Sequence, residues 1–204
     1  FVTSRSTCSW YAVCMQYVLG VDEAGRGPIA GPVAVGIVRA PAEFDFFTVF
    51  PKLNDSKKLS EKRREALFDI LVEQVRLGAL SFCVKSVDAK TIDREGISPS
   101  VRSCVHAGIR ELSPEPISKV FLDGLLFAPD GYEQETVEGG DATIPVIMLA
   151  SVAAKVSRDR LMREYEKKYP LYGFEKHKGY GTKTHYEKIR EHGLCDIHRR
   201  SFIH

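Results

Sequence analysis

Four acidic residues are candidates for a metal-dependent reaction. Asp22 and Glu23 are adjacent and follow the apolar segment VLGV, Asp123 also follows an apolar run, and Asp141 lies in the segment EGGDA. Clustered carboxylates repel one another, so such a cluster persists only when protons or cations neutralise it. Hard oxygen ligands select Mg²⁺ or Mn²⁺, and two such ions about 3.5–4 Å apart support in-line attack at a phosphodiester.

The spacing of these acids does not by itself establish that they converge. A single acid at the end of a strand is usually a turn or cap residue, and that alternative stays open for each acid alone. The pair Asp22-Glu23 is harder to explain in this way, because a glycine-arginine-glycine turn follows it. Strand ends in an α/β sheet bring distant residues into one crevice, so we expect Asp22 and Asp123 to meet.

The turn formed by Gly25, Arg26 and Gly27 suits contact with a nucleotide. The two glycines carry no side chain, so a substrate can approach their main chain closely. A ribose 2′-hydroxyl donates and accepts hydrogen bonds, and main-chain groups can therefore read it. Arg26 offers a planar fork of donors for a phosphate. The alternative is an ordinary hairpin turn with an exposed arginine.

Apolar patterns predict the strands that would position these residues. Residues 18–22 and 29–38 read as the two arms of a hairpin joined by EAGRGP. Residues 80–87 alternate between apolar and polar side chains, as a half-buried strand does. Residues 117–122 are a further buried strand, and it ends immediately before Asp123.

Four helices are predicted from capping residues and apolar spacing. Ser60 caps the first, which ends near Gly78. A Ser-Pro pair opens the second, over residues 98–112. The third covers residues 147–168 and begins with the small residues ASVAAK, which allow close packing, and the fourth covers residues 183–192. The hairpin and the alternation of strands and helices predict an α/β fold with a mixed central sheet flanked by helices.

The charge is unevenly distributed along the chain. The net charge of the 204 residues is +2, yet residues 1–150 hold 16 Lys and Arg against 20 Asp and Glu, whereas residues 151–204 hold 13 against 7. A basic C-terminal region indicates a polyanionic partner, although a solvated charged face is the alternative. Within it Tyr180 lies between two glycines and close to Lys178. Basic groups interleaved with an aromatic ring are typical of a nucleic-acid groove.

The five cysteines are scattered, odd in number and without CxxC spacing, which favours a reduced, cytoplasmic protein. No apolar run approaches the roughly 20 residues of a membrane span, and we expect no association with a membrane. Residues 1–14 make a poor signal peptide. We predict that they are a dispensable extension and that residues 15–204 form a single catalytic domain.

Taken together, the motifs closely resemble those of the ribonuclease HII family, the bacterial form of type 2 ribonuclease H. The segments that carry the resemblance are GVDEAGRGPIAGPVAVG, NDSKKLSEKRRE, FLDG, GGDA with ASVAAKVSRDR, YGFEKHKGYGTKTH and HRRSF, in the family's order and spacing. The resemblance covers about residues 16–202. It implies a ribonuclease H-like mixed sheet with a C-terminal helical, substrate-binding part over about residues 160–204.

The resemblance also implies an activity. The chain is expected to hydrolyse the RNA strand of RNA/DNA hybrids and to incise at ribonucleotides embedded in duplex DNA. The reaction would be a hydrolysis with two Mg²⁺ or Mn²⁺ ions that leaves a 5′-phosphate and a 3′-hydroxyl. These substrates are the expected partners, and no obligate protein partner is expected, because the end of the chain shows no obvious clamp-binding motif.

The family's functional residues fall on defined positions of this sequence. Its catalytic, metal-binding acids correspond to Asp22, Glu23, Asp123 and Asp141, with Asp22 expected to bridge the two ions. Its ribose-reading turn corresponds to residues 25–27 and its junction-sensing tyrosine to Tyr180. The segment DSKK suggests that Lys57 or Lys58 approaches a phosphate. Lys178 is a further candidate for substrate binding, and for Lys155 and Arg158 phosphate contact and surface solvation are equally open.

Two positions depart from the family pattern, and two rival interpretations stay open. Leu125 stands where family members often have Asn, and Thr143 where they often have Lys. These departures bear on substrate contacts and leave the four acids intact.

One rival is the ribonuclease HIII family, against which the arginine of the turn and the expected lack of an N-terminal binding domain argue. The other is a catalytically inactive hybrid-binding module, against which the complete set of acids argues.

Overall fold

The structure, a computed structural model, describes residues 17–115 and 118–203. At its centre is a mixed five-stranded sheet. Its strands are β1 (Tyr17–Ala24), β2 (Val33–Pro41), β3 (Ser81–Val87), β4 (Ser118–Asp123) and β5 (Gln134–Val137). The order across the sheet is β3-β2-β1-β4-β5. The pairs β1–β2 and β2–β3 are antiparallel, whereas β1–β4 and β4–β5 are parallel. The predicted α/β class and mixed sheet are confirmed.

Helices cover both faces of this sheet. They are α1 (Phe46–Val49), α2 (Glu61–Arg76), α3 (Ala89–Glu95), α4 (Ile97–Leu112), α5 (Gly140–Thr143), α6 (Pro145–Lys168), α7 (Phe174–His177) and α8 (Lys183–His192), followed by a 3₁₀ turn (Arg200–Phe202). The four long predicted helices are α2, α4, α6 and α8. Ser60 caps α2 by accepting from the main-chain N–H of Arg63, and α8 has its predicted bounds.

The two faces of the sheet bury separate apolar cores. Residues of α4 pack on the face that carries Val21 and Leu122, and residues of α2 and α6 pack on the opposite face. The small residues of α6 lie very close to β2, because a Cβ added at Gly36 would come within 2.2 Å of the main-chain oxygen of Ala150. This close packing brings the side chains of α6 directly against the ends of the central strands.

The second arm of the hairpin starts later than predicted. β2 begins at Val33, four residues after the predicted position 29, and residues 25–32 form a loop. Within this loop Ala30 makes an isolated antiparallel bridge with His198, and Gly31 donates to the main-chain oxygen of Ile197. The apolar residues of the loop are therefore buried against the C-terminal segment, which explains why they look like strand residues in the sequence.

Smaller elements were not predicted. β5 has the sequence QETV, a mostly exposed edge strand without an apolar face. α3 ends at Gly96, which also caps α4, so α4 starts at Ile97 rather than at the predicted Ser-Pro pair. The prediction that residues 1–14 are dispensable concerns positions outside the described residues. Within residues 17–115 and 118–203, none of the helices combines the length and the apolar character needed to span a bilayer.

Candidate active site

Three of the four predicted acids converge where β1 and β4 end. Val21 pairs with Leu122 in the parallel register, so the next residues, Asp22 and Asp123, stand side by side. Asp141, on α5, completes the group, and one carboxylate oxygen from each of the three lies within 4.8 Å of the others. The main-chain N–H of Asp141 donates to Asp123. The sequence could not establish this convergence, and the strand register accounts for it.

Burial and neighbouring negative charges disfavour the ionised form of Asp22 in this group. Asp22 is 5% exposed and Asp141 is 3% exposed. Burial raises the pKa of Asp22 to about 7; a hydrogen bond from Ser151 opposes this rise, and the negative charges of Glu23 and Asp123 add to it. A buried oxygen donor set that must be neutralised is the type of site that holds a hard divalent cation. The residues present therefore fit Mg²⁺ or Mn²⁺.

Lys57 reaches into this group. Its Nζ forms an ion pair of 2.8 Å with Oδ2 of Asp141, and this buried oxygen has no other polar partner among the described residues. The lysine side chain is 76% exposed, so it approaches from solvent and can leave. A metal ion bound by Asp141 would therefore replace the lysine ammonium at this oxygen.

Glu23 occupies a different position from the other three acids. Successive strand residues point to opposite faces, so Glu23 lies on the face of Val21, away from Asp22. Its carboxylate pairs with Arg26 at 3.3 Å. Burial raises the pKa of Glu23, and the charge of Arg26 opposes this effect. Glu23 therefore borders the three-acid group without belonging to it.

The turn of residues 25–27 is held from behind by two buried arginines. Nη2 and Nη1 of Arg199 donate to the main-chain oxygens of Gly25 and Arg26, at 2.7 and 3.0 Å. The side chain of Arg158 lies against Gly25, where an added Cβ would come within 2.0 Å of its Nε. Gly25 has a φ of +88°, which strains any residue with a side chain. Only glycine fits this position, for both reasons.

Arg158 links this turn to the segment that carries the predicted tyrosine. It donates to the main-chain oxygens of Pro32 and Lys178 at 2.9 Å each. The N–H groups of Ile29 and Ala30 donate to the oxygen of Gly179, the residue before Tyr180. The turn and the tyrosine segment are therefore parts of one hydrogen-bonded unit.

A cleft of about 360 Å³ collects most of the predicted site residues. The predicted residues that line it are Asp22, Glu23, Gly25, Arg26, Gly27, Lys57, Asp123, Lys155 and Tyr180. Asp141 is not in the cleft lining, but its carboxylate lies within 4.8 Å of those of Asp22 and Asp123. Tyr180 is 48% exposed, so its ring is accessible to a ligand in the cleft.

Lys178 is not brought into this cleft. Its Nζ donates to the main-chain oxygen of Glu175 and lies 3.7 Å from Glu61. Lys155 does line the cleft and forms an ion pair of 2.6 Å with Asp159. Arg158 is 1% exposed. It is therefore neither a surface residue solvated by water nor accessible to a phosphate.

Sequence reasoning missed two serines and Arg199. Ser151 of α6 lies beside Asp22 and lowers its pKa, and its Oγ lies 2.7 Å from Oγ of Ser56. The available signal was a single hydroxyl within the small-residue segment ASVAAK. Arg199 lies in the segment HRRSF, but nothing in the sequence distinguishes it from Arg200 beside it, and only its burial reveals its role.

Comparison with known proteins agrees with this geometry. The sequence model of the family described as Ribonuclease HII matches residues 19–204. The chain belongs to the ribonuclease HII family. A curated ribonuclease HII from Endomicrobium trichonymphae is 45% identical over 186 residues, which cover 91% of this chain and 84% of that protein.

Solved ribonucleases of this type share the fold. The ribonuclease HII of Archaeoglobus fulgidus, solved in complex with PCNA, superposes with a TM-score of 0.72 at 24% identity, covering 91% of this chain and 93% of that one. Bst-RNase HIII in complex with Mn²⁺ gives a TM-score of 0.70 at 15% identity, covering 92% and 67%. The expectation that this chain needs no obligate protein partner stays a prediction.

Proposed function

We propose that this chain is a metal-dependent endoribonuclease that cleaves the RNA strand of RNA/DNA hybrids and incises at ribonucleotides embedded in duplex DNA. One observation carries the proposal. The carboxylates of Asp22, Asp123 and Asp141 converge beside a cleft that the turn of residues 25–27 and the ring of Tyr180 also line. Family membership supports the reaction class.

Asp22, Asp123 and Asp141 would hold Mg²⁺ or Mn²⁺, and Glu23 would contribute from the rim. The chemistry supplied by two bound cations is stabilisation of charge on the scissile phosphate and a lower pKa for water. Ser151, which lies beside Asp22 and lowers its pKa, would help to position this carboxylate. Lys57, which pairs with Asp141 in this structure, would be free to contact a phosphate when a cation is bound. The products would carry a 5′-phosphate and a 3′-hydroxyl.

The turn supplies the selection for ribose. Open space surrounds Gly27, where an added Cβ would meet no atom within 4 Å, so a nucleotide can approach its main chain. Main-chain groups of the turn would read the 2′-hydroxyl. Arg26 would hold a phosphate at the edge of the cleft. A substrate without the 2′-hydroxyl would leave these groups without their partner, which is why plain DNA is spared.

We further propose that the chain acts in the cytoplasm, in the replication and repair of DNA that contains ribonucleotides. The described cysteines, Cys83, Cys104 and Cys195, are free thiols, which suits a reducing compartment.

Cleavage of a DNA duplex with one embedded ribonucleotide tests the proposal. We expect a single nick in Mg²⁺ or Mn²⁺, with a 5′-phosphate and a 3′-hydroxyl at the new ends. EDTA should abolish the nick, and the matched all-DNA duplex should stay intact. Tight binding of the ribonucleotide duplex without a nick in either metal would overturn the proposal in favour of a binding module.

A further inference from the structure

A second groove, of about 560 Å³, lies beside the active-site cleft. We call it the flank groove; one wall is the N-terminal half of α4 and the other is the loop that follows β4. Arg26 lines both the cleft and the flank groove. Nη1 of Arg26 points to Glu23 in the cleft, and Nη2 lies 3.2 Å from Oγ of Ser98 at the mouth of the groove. The two depressions are therefore continuous across one guanidinium.

The flank groove holds two arginines against one carboxylate, and one of them, Arg26, is paired with Glu23. Arg102 of α4 is exposed and has no carboxylate within 4.0 Å among residues 17–115 and 118–203. Burial lowers the pKa of the neighbouring His106, and the charges of Arg110 and Arg102 lower it further. Asp130 is the single carboxylate of the described lining. A polyanion that leaves the cleft past Arg26 would meet Arg102 next.

The opposite wall presents two large apolar side chains to solvent. Leu125 is 81% exposed and Phe127 is 61% exposed, whereas Leu126 and Ala128 between and beyond them are buried. The loop is held in place, because the N–H of Ala128 donates to the side chain of Gln134 and the hydroxyl of Thr136 donates to the oxygen of Leu126. The exposure of Leu125 and Phe127 is thus fixed by the fold.

We propose that the flank groove binds the nucleotides next to the cleavage site, with a phosphate at Arg102 and a base or sugar against Phe127 and Leu125. The proposal rests on the proposed function and extends its substrate site. Aromatic side chains between basic groups bind nucleic acid by stacking and charge together. Continuity with the cleft through Arg26, together with the guanidinium of Arg102, which has no carboxylate partner among the described residues, favours a nucleic-acid strand over a second protein as the occupant.

Binding to duplexes of different length tests the flank groove. The duplexes share one central ribonucleotide and have a short or a long arm on either side, and binding is measured by fluorescence anisotropy in EDTA over a range of salt. The variants are Arg102→Ala and Phe127→Ala. The controls are Arg76→Ala, an exposed arginine of α2, and Phe47→Ala, which is 58% exposed on α1.

The flank groove lies on one side of the cleavage site. We therefore expect both variants to lose affinity for duplexes whose arm on that side is long, and to bind like wild type when that arm is short. Phe127→Ala should lose about tenfold, within the range measured for one stacked base. Arg102→Ala should reduce the slope of log K against log[salt] by about 0.9, the value for one phosphate contact on duplex. The controls should bind like wild type at every length.

Wild-type affinity of both variants for every duplex would overturn the proposal. So would a loss that is equal on short and long arms, because it would indicate a general effect on the fold. Cleavage by wild type in Mg²⁺ is recorded separately. If wild type does not cleave, the proposed function fails, whereas the comparison of binding in EDTA still decides the flank groove.

Discussion

The guanidinium of Arg199 donates to the main-chain oxygen of Gly25 at 2.7 Å, across 174 positions of sequence. The same group donates to the oxygens of Arg26 and Gly31, and its side chain is fully buried. Burial lowers the pKa of Arg199 to about 9, and the charge of Arg158 adds to this effect. The C-terminal segment therefore determines the shape of the turn that is proposed to read ribose.

Arg199→Lys should fold but lose cleavage rate. A lysine has a single nitrogen and cannot reach the three carbonyls that Arg199 serves, and each buried carbonyl left without a donor costs about 1–3 kcal/mol. We expect a lower melting temperature and a kcat on the single-ribonucleotide duplex that falls by more than KM changes. The control is Arg200→Lys, an exposed neighbour. An unchanged kcat in Arg199→Lys would show that the turn holds its shape without this support.

Asp22→Asn should stabilise the metal-free protein at neutral pH. The pKa of Asp22 is raised from 3.8 to about 7 on folding, so the folded state binds more protons between these values and stability falls as the pH rises through that window. Each pKa unit corresponds to about 1.4 kcal/mol. Thermal unfolding in EDTA from pH 4 to 8 should show a flatter profile for Asp22→Asn than for wild type or Asp69→Asn. Parallel profiles would mean that Asp22 stays ionised when buried.

Two buried histidines should make the C-terminal region sensitive to acid. The N–H of Cys195 donates to Nδ1 of His198, so the proton of His198 is on Nε2, 3.0 Å from Nε2 of His185. His185 then accepts at Nε2 and donates from Nδ1 to the oxygen of Tyr180. Burial lowers the pKa of His185 from 6.5 to about 4, and the chain of hydrogen bonds needs both rings neutral.

Stability should therefore be complete above about pH 6.5 and decline as the pH falls toward 4. His185→Gln should lower stability at pH 7 and remove part of this decline, whereas His192→Gln, an exposed position on α8, should leave it unchanged. Melting temperatures from pH 4 to 7 provide the measurement. A decline of the same size in His185→Gln would place the titrating group elsewhere.

Tyr180 should sense the junction between RNA and DNA. A ring stacked on the sugar beside the target ribose favours deoxyribose, since burying an unpaired 2′-hydroxyl costs about 1–3 kcal/mol, or roughly one to two orders of magnitude in rate. Tyr180→Ala should lose more rate on a single embedded ribonucleotide than on a continuous RNA/DNA hybrid, and Tyr180→Phe should keep most of the preference. Equal losses on both substrates for Tyr180→Ala would assign the ring to structure or general binding.

Local patterns predicted the elements with strong apolar spacing and capping residues. The capping residue Ser60 predicts the start of α2, and the predicted bounds of α8 match the structure. The three acids that converge are all among the residues predicted to bind metal. β5 was missed because QETV lacks an apolar face, since an edge strand needs little burial. Residues 29–32 were assigned to a strand because they are apolar, but their partners are Ile197 and His198, far along the chain.

The sequence predicts which residue types form the site, but it does not predict how their side chains are arranged. The alternation of side chains along a strand implies that Glu23 faces away from Asp22. The roles of Ser151 and Arg199 depend on tertiary contacts with no local signature. Buried arginines that serve only main-chain carbonyls look, in sequence, like any basic residue on a nucleic-acid surface.

The most direct test of the central claim is the cleavage rate of Asp123→Asn. The claim is that Asp22, Asp123 and Asp141 together hold the cations required for cleavage. On a duplex with one ribonucleotide in saturating Mg²⁺, Asp123→Asn should lose at least about a hundredfold in kcat, the usual effect of removing one transition-state stabiliser, while its melting temperature in EDTA stays at or above that of wild type. A folded Asp123→Asn that turns over at a near-wild-type rate would contradict the account.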